Sequence, residues 1–110
     1  MPRENMELRV EVVGFVDEAF PGWVEATFRD AAAREHTLRD KVPIFTEAML
    51  DESSHYPQPG LVGCEVVERF RDDEGRELAR ISTTGVESTA GLNSFVVFAS
   101  QLQPNLRLVS

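Results

Sequence analysis

Two runs of alternating apolar residues, joined by turn chemistry, set the tightest limit on how this chain folds. From Leu61 to Phe70 the residues are mostly β-branched or otherwise apolar, and Val62, Cys64, Val66 and Phe70 share one side at a period of two. Arg71-Asp72-Asp73-Glu74-Gly75 interrupts, and Arg76 to Thr84 resumes with Ala79, Ile81 and Thr83 alternating. A period of two is the strand period, so the pair reads as a β-hairpin. Gly75 can take a left-handed backbone conformation there at little steric cost.

An earlier stretch repeats the pattern. Phe28-Arg29-Asp30 and Arg34-Glu35 recur as Phe70-Arg71-Asp72 and Arg76-Glu77, both at an offset of 42 residues. The flanking strands do not match, so the repeat reads as two hairpins sharing one turn type. Ala33 stands where Gly75 stands.

The other elements follow in order. Leu8 to Val16 reads as a first strand, with Leu8, Val10, Val12 and Val16 on one face. Pro21-Gly22 suits the centre of a type II turn. Trp23 to Phe28 is a second strand with Val24, Ala26 and Phe28 inward, and Glu35 to Val42 a third, ended by Pro43. Phe45 to Glu52 reads as a short helix, with Thr46 as its cap and Phe45 and Leu50 as its hydrophobic staple. Ser53 to Gly60 is a loop stiffened by Pro57 and Pro59. After the central hairpin, Gly85 to Gly91 is a loop and Asn93 to Leu102 contains a last strand, apolar on both faces. The expected fold is one all-β domain over residues 1–110, a small five- or six-stranded barrel, OB-like or SH3-like, with one short helix after the third strand. Residues 1–6 read as a tail and 104–110 as a weakly ordered one.

Several phrases span most of the chain: Pro21-Gly22-Trp23-Val24-Glu25, Lys41-Val42-Pro43, Tyr56-Pro57-Gln58-Pro59-Gly60, Cys64-Glu65-Val66-Val67 and Gly85-Val86-Glu87-Ser88-Thr89. On these the chain resembles a group of small, acidic, mainly actinobacterial proteins of unknown role. The resemblance implies no activity, cofactor or catalytic residue. The chain departs from the group at Ala33, where a turn glycine is expected.

Composition excludes more than it selects. The formal net charge is -8, which repels nucleic acid and anionic membrane surfaces. The start of the chain has no apolar run resembling a signal peptide, and one cysteine cannot form an internal disulfide, which points to the cytoplasm by elimination. Cys64, His36 and His55 are the only thiol and imidazoles, without metal-ligand spacing. No Gly-x-Ser-x-Gly elbow and no phosphate-cradling glycine loop occurs. The expectation is therefore no catalytic residue, no metal and no cofactor.

One asymmetry remains. From Val42 to Glu68 there is no lysine or arginine, while Glu47, Asp51, Glu52, Glu65 and Glu68 are acidic. Tyr56, held between prolines and acids, is the type of residue that anchors an interface. The expected function is a non-enzymatic binding module, inhibitor- or immunity-like, that docks a basic protein through Glu47, Asp51, Glu52, His55 and Tyr56. A second class of function is a small-molecule or single-stranded nucleic-acid site in the barrel mouth, with or without catalysis, using Trp23, His36 and Arg39. A deep pocket shared by Trp23, His36 and Tyr56 would mark it. Free edge strands also offer a route to a homodimer.

Overall fold

The computed structural model describes residues 4–83 and 85–105. Its elements are β1 (Glu4–Asp17), β2 (Trp23–Arg29), β3 (Glu35–Lys41), α1 (Val42–Phe45), β4 (Gln58–Arg71), β5 (Glu77–Ser82), β6 (Ser94–Phe98) and β7 (Leu102–Pro104). A 3-10 turn, Ala99–Gln101, separates the last two. β1 and β4 pair antiparallel from Glu4↔Val66 to Val12↔Gln58. The other edge of β1 pairs with β7 at Met6–Leu8 and with β2 from Glu11 onward. The sheet order is β3-β2-β1-β4-β5-β6, with β7 beside β1.

The sheet curls into a half-barrel. Its two end strands are joined through turns and loops. Ser88 bridges to Leu38 of β3, the Thr89 amide donates to the Thr37 carbonyl at 2.8 Å, and the Ala31 amide donates to the Val96 carbonyl of β6 at 2.8 Å. The enclosed core follows the predicted alternation, except that Phe70, beyond a register shift between Val66 and Glu68, is only half-buried. Val12, Val24, Phe28, Leu38, Val66, Ile81 and Val97 are all buried. Thr83 is buried too, and its hydroxyl donates to the Val86 carbonyl at 2.7 Å.

Four local expectations are corrected. Residues 4–6 belong to β1 rather than to a tail, because Glu4, Asn5 and Met6 pair with Val66, Glu65 and Cys64. The last strand is split by the Ala99–Gln101 turn, so Leu102 to Pro104 form β7; the described residues form seven strands, and residues 1–3 and 106–110 of the expected tails lie outside them. β1 carries register shifts between Val12 and Gly14 and between Phe15 and Asp17. Such bulges re-aim side chains, so Val16 is exposed and Phe15 packs on the core. At the β1–β2 turn, Asp17 accepts the Ala19 amide at 2.8 Å and the turn closes from Gly22 to Ala19, around a cis Phe20–Pro21 bond, instead of centring on Pro21-Gly22.

The helix is also displaced. α1 is one turn, Val42–Phe45, with Pro43 as its second residue, and is ended by Thr46 in an extended conformation. A proline suits the first helical turn because its amide needs no partner there. The stretch read as helix is a loop because its polar side chains take the amides. Thr46 Oγ1 accepts the Ala48 amide at 3.0 Å, Ser54 Oγ that of Asp51 at 3.0 Å, and Asp51 Oδ1 that of Ser53 at 2.9 Å. Serine, threonine and aspartate compete with helix in this way.

The two hairpin turns are built alike. Asp30 Oδ1 accepts the amides of Ala32 and Arg34 at 2.9 and 3.0 Å; Asp72 Oδ1 accepts those of Glu74 and Arg76 at 2.9 Å each. The fourth residue of each turn is left-handed, with φ of 64° at Ala33 and 80° at Gly75. A side chain there costs roughly 1 kcal/mol. Ala33→Gly is expected to stabilise the domain and Gly75→Ala to destabilise it, each by at most about 1 kcal/mol in chemical denaturation. At Gly75 no atom lies within 4 Å of an added Cβ, so the loss reports the backbone alone.

Both turn carboxyls are held below their ordinary value of 3.8. At Asp30 burial pushes upward and is outweighed by hydrogen bonds from His36 and from the Arg34 and Ala32 amides. At Asp72 the Arg76 amide is the main cause. A carboxyl whose folded pKa lies below its unfolded one stabilises the fold above the unfolded value, and that contribution is lost as pH falls through the folded pKa. The Asp30→Asn/Asp72→Asn variant is therefore expected to be less stable at neutral pH. It should also lose less stability than the parent between about pH 5 and pH 2, measured by denaturant midpoints.

Candidate functional site

The loop of residues 46–57 joins α1 to β4 and carries Glu47, Asp51 and Glu52, while Glu65 and Glu68 lie on β4. It is pinned from within. The Asp51 carboxylate accepts the Ser53 amide at 2.9 Å and the Ser53 hydroxyl at 2.7 Å. The Ser53 hydroxyl bond leads the causes that lower the pKa of Asp51, so the group stays charged through mildly acidic pH. The Tyr56 hydroxyl donates to the Asp51 carbonyl at 2.7 Å, and the Gln58 side-chain amide donates to the His55 carbonyl at 2.8 Å. Leu50 is buried and ties the middle of the loop to the core. Around it Glu47, Asp51, Glu52 and His55 are exposed, while Tyr56 is half-buried against the core.

A second turn meets this loop. Phe15, Glu18, Phe20 and Gly22 line a shallow concavity together with Leu50, Asp51 and Glu52. The β1–β2 turn and the acidic loop therefore form one surface at one end of the half-barrel. Each of the two segments carries one large, almost fully exposed apolar side chain: Phe20 in the turn is 96% exposed and Met49 in the loop 97% exposed. Sequence reasoning missed both. Met49 was hidden in the assumed helix. Phe20 did leave a signal, an aromatic placed between Ala19 and Pro21 in a turn that no strand face can bury.

The alternative residues are not brought together. Trp23 pairs with Lys41 at one end of the β2–β3 ladder, and His36 pairs with Phe28 toward the other. Trp23 and Arg39 belong to the outer face, where the Lys41 ammonium lies 5.8 Å from the Trp23 ring and Arg39 pairs with Glu25 at 2.9 Å. His36 faces inward, with its ring between Phe28 and Phe95 at 5.3 and 4.8 Å. Its Nε2 lies 2.7 Å from Asp30 Oδ2, so it completes the hairpin turn. Residues on opposite faces cannot share one pocket with Tyr56.

Cys64 is buried, and burial, reinforced by the charge of Glu7, pushes its pKa up to about 11. At neutral pH it is a thiol, not a nucleophilic thiolate. Among the described residues no group of three or more His, Cys, Asp or Glu side chains is placed to hold a metal ion, and no helix is long and apolar enough to cross a membrane. No family profile, curated protein or solved structure matches this chain.

Tyr56 is best described as the brace of the acidic loop. Tyr56→Phe removes its bond to the Asp51 carbonyl and keeps the ring. Hydrogen exchange at the Ser53 and Ser54 amides should then accelerate about fivefold to tenfold, the equivalent of one lost hydrogen bond. Exchange in β4 should be unchanged.

Proposed function

We propose that the protein is a non-enzymatic binding module that docks a basic protein through the surface formed by the β1–β2 turn and the loop of residues 46–57. The observation that carries this reading is the near-complete exposure of Phe20, which shares a concavity with Glu18, Asp51 and Glu52, and of Met49 in the same acidic loop. Large apolar side chains held out in water gain roughly 1.5–3 kcal/mol each when a partner covers them. Apolar anchors inside a polar rim are the usual anatomy of an energetic centre. The rim is acidic, so the complementary surface carries lysine or arginine around an apolar recess. The net charge of -8 adds long-range attraction to such a partner. The internal bonds of the Asp51 loop support the same reading, because a loop already ordered loses little entropy on binding.

A photo-crosslinking residue at Met49, used in a native lysate, identifies the contact. The expected capture is a protein whose linked segment is rich in lysine or arginine. Association with that protein, followed at low and high salt, should slow at least about tenfold in the Glu47→Lys/Asp51→Lys/Glu52→Lys variant. Phe20→Ser should instead raise the dissociation rate and leave the salt dependence alone. An acidic linked segment, or a triple-lysine variant that associates as fast as the parent, overturns the reading.

A further inference from the structure

We propose that the groove between β1, the end of α1 and the start of β4 binds a small organic cation, a primary amine on an apolar body. The groove has a volume of 790 Å³. Cavities of about 300–1,000 Å³ hold small ligands and typically combine an apolar lining with a few polar groups. Here the apolar part comes from Val10, Phe45, Pro57, Pro59 and Leu61. Gly60 lies buried beside the groove, where close packing leaves no room for a side chain. An added Cβ there would stand 2.9 Å from Val12 Cγ2 and 3.2 Å from the Phe45 carbonyl oxygen, so only glycine lets α1 approach β1 across β4 this closely.

The charges around the groove choose the ligand. Three carboxylates line it, those of Glu7, Glu11 and Glu47, against one guanidinium, that of Arg9. Glu7, Arg9 and Glu11 follow one another at alternate positions of β1, so Arg9 stands between two acids along the strand. Glu11 lies opposite Pro59 and is exposed, as is Glu47 on the loop after α1. These two carboxylates receive the ammonium while the apolar body lies along Pro59 and Leu61, on the same face of the sheet as Glu11. An anionic ligand meets repulsion from the groove and from the whole molecule. A quaternary ammonium needs an aromatic cage, and the groove offers one phenylalanine, itself buried, so a cation with N–H donors fits better. The inference stands apart from the docking surface, with which it shares Thr46, Glu47 and Pro57.

The test is an amide NMR titration of the intact chain with 2-phenylethylamine, its neutral analogue 2-phenylethanol and the anion 3-phenylpropanoate. The amine should shift the amides of Val10, Thr46, Gly60 and Leu61 at up to about 10 mM, a range open to so small a ligand. It should bind at least about tenfold more tightly than the alcohol, and the anion should leave these amides unmoved. Glu11→Gln and Glu47→Gln, both at exposed positions, should each weaken the amine about tenfold and leave the alcohol unchanged. Equal binding of amine and alcohol, or amine binding insensitive to both substitutions, overturns the proposal. So does an equal loss in Asp51→Lys/Glu52→Lys, which would mean that the amine senses only overall charge. That last variant separates this proposal from the docking reading, which needs Asp51 and Glu52.

Discussion

The pairing of β1 with β4 is the interaction on which the remaining structure depends. It runs from Glu4↔Val66 to Val12↔Gln58 and joins segments far apart in sequence. Closing so long a loop is entropically costly, and the ladder must offset it with continuous hydrogen bonding and burial. Leu8, Val10, Val12, Val62, Cys64 and Val66 supply the burial along the shared inner face. Every other strand is added to an edge of this pair: β2 and β7 to β1, β5 to β4, then β3 and β6 beyond them. The ladder also fixes where the chain must cross from β3 to β4. That crossing contains α1 and the acidic loop, so both the docking surface and the groove are consequences of the same pairing.

The strands were legible in the sequence because burial on one face leaves a period of two. The inward sets of β2 and β5, and of β4 as far as Val66, follow from alternation, whereas Phe70, beyond the register shift between Val66 and Glu68, lies outside the core. What alternation cannot show is an interruption within a strand. The β1 bulges shift the register after Val12, and nothing in Val13-Gly14-Phe15-Val16 marks which residue is the extra one. The helix was misplaced for a different reason. Thr46, Glu47 and the Phe45/Leu50 spacing satisfy a helix start locally, yet Asp51, Ser53, Ser54 and Tyr56 offer the same backbone better partners.

The candidate surface was half legible. Charge is visible in the sequence itself, so the acids of the 46–57 loop are legible without the fold. The apolar half was not visible, because exposure depends on which segments meet in space. Phe20 comes beside Leu50, Asp51 and Glu52 only because the β1–β2 turn folds against the loop. The groove was hidden for the same reason, since Glu11, Gly60 and Glu47 become neighbours only through the long ladder. In the repeated turns, by contrast, one aspartate and a fixed spacing contain the whole arrangement.

The pairing of β7 with β1 has a consequence for how the chain is made. A ribosome delivers Met6–Leu8 well before Leu102–Pro104, so that edge of the first strand waits for a partner from the far end of the described chain. Its opposite edge waits for residues 58–66. Until then a strand carrying Leu8, Val10 and Val12 exposes two rows of unpaired backbone groups, the arrangement most open to pairing with a neighbouring nascent chain. Glu7, Arg9 and Glu11, alternating with those apolar residues, place charge along the same strand during that interval, and like strands then meet like charges in register.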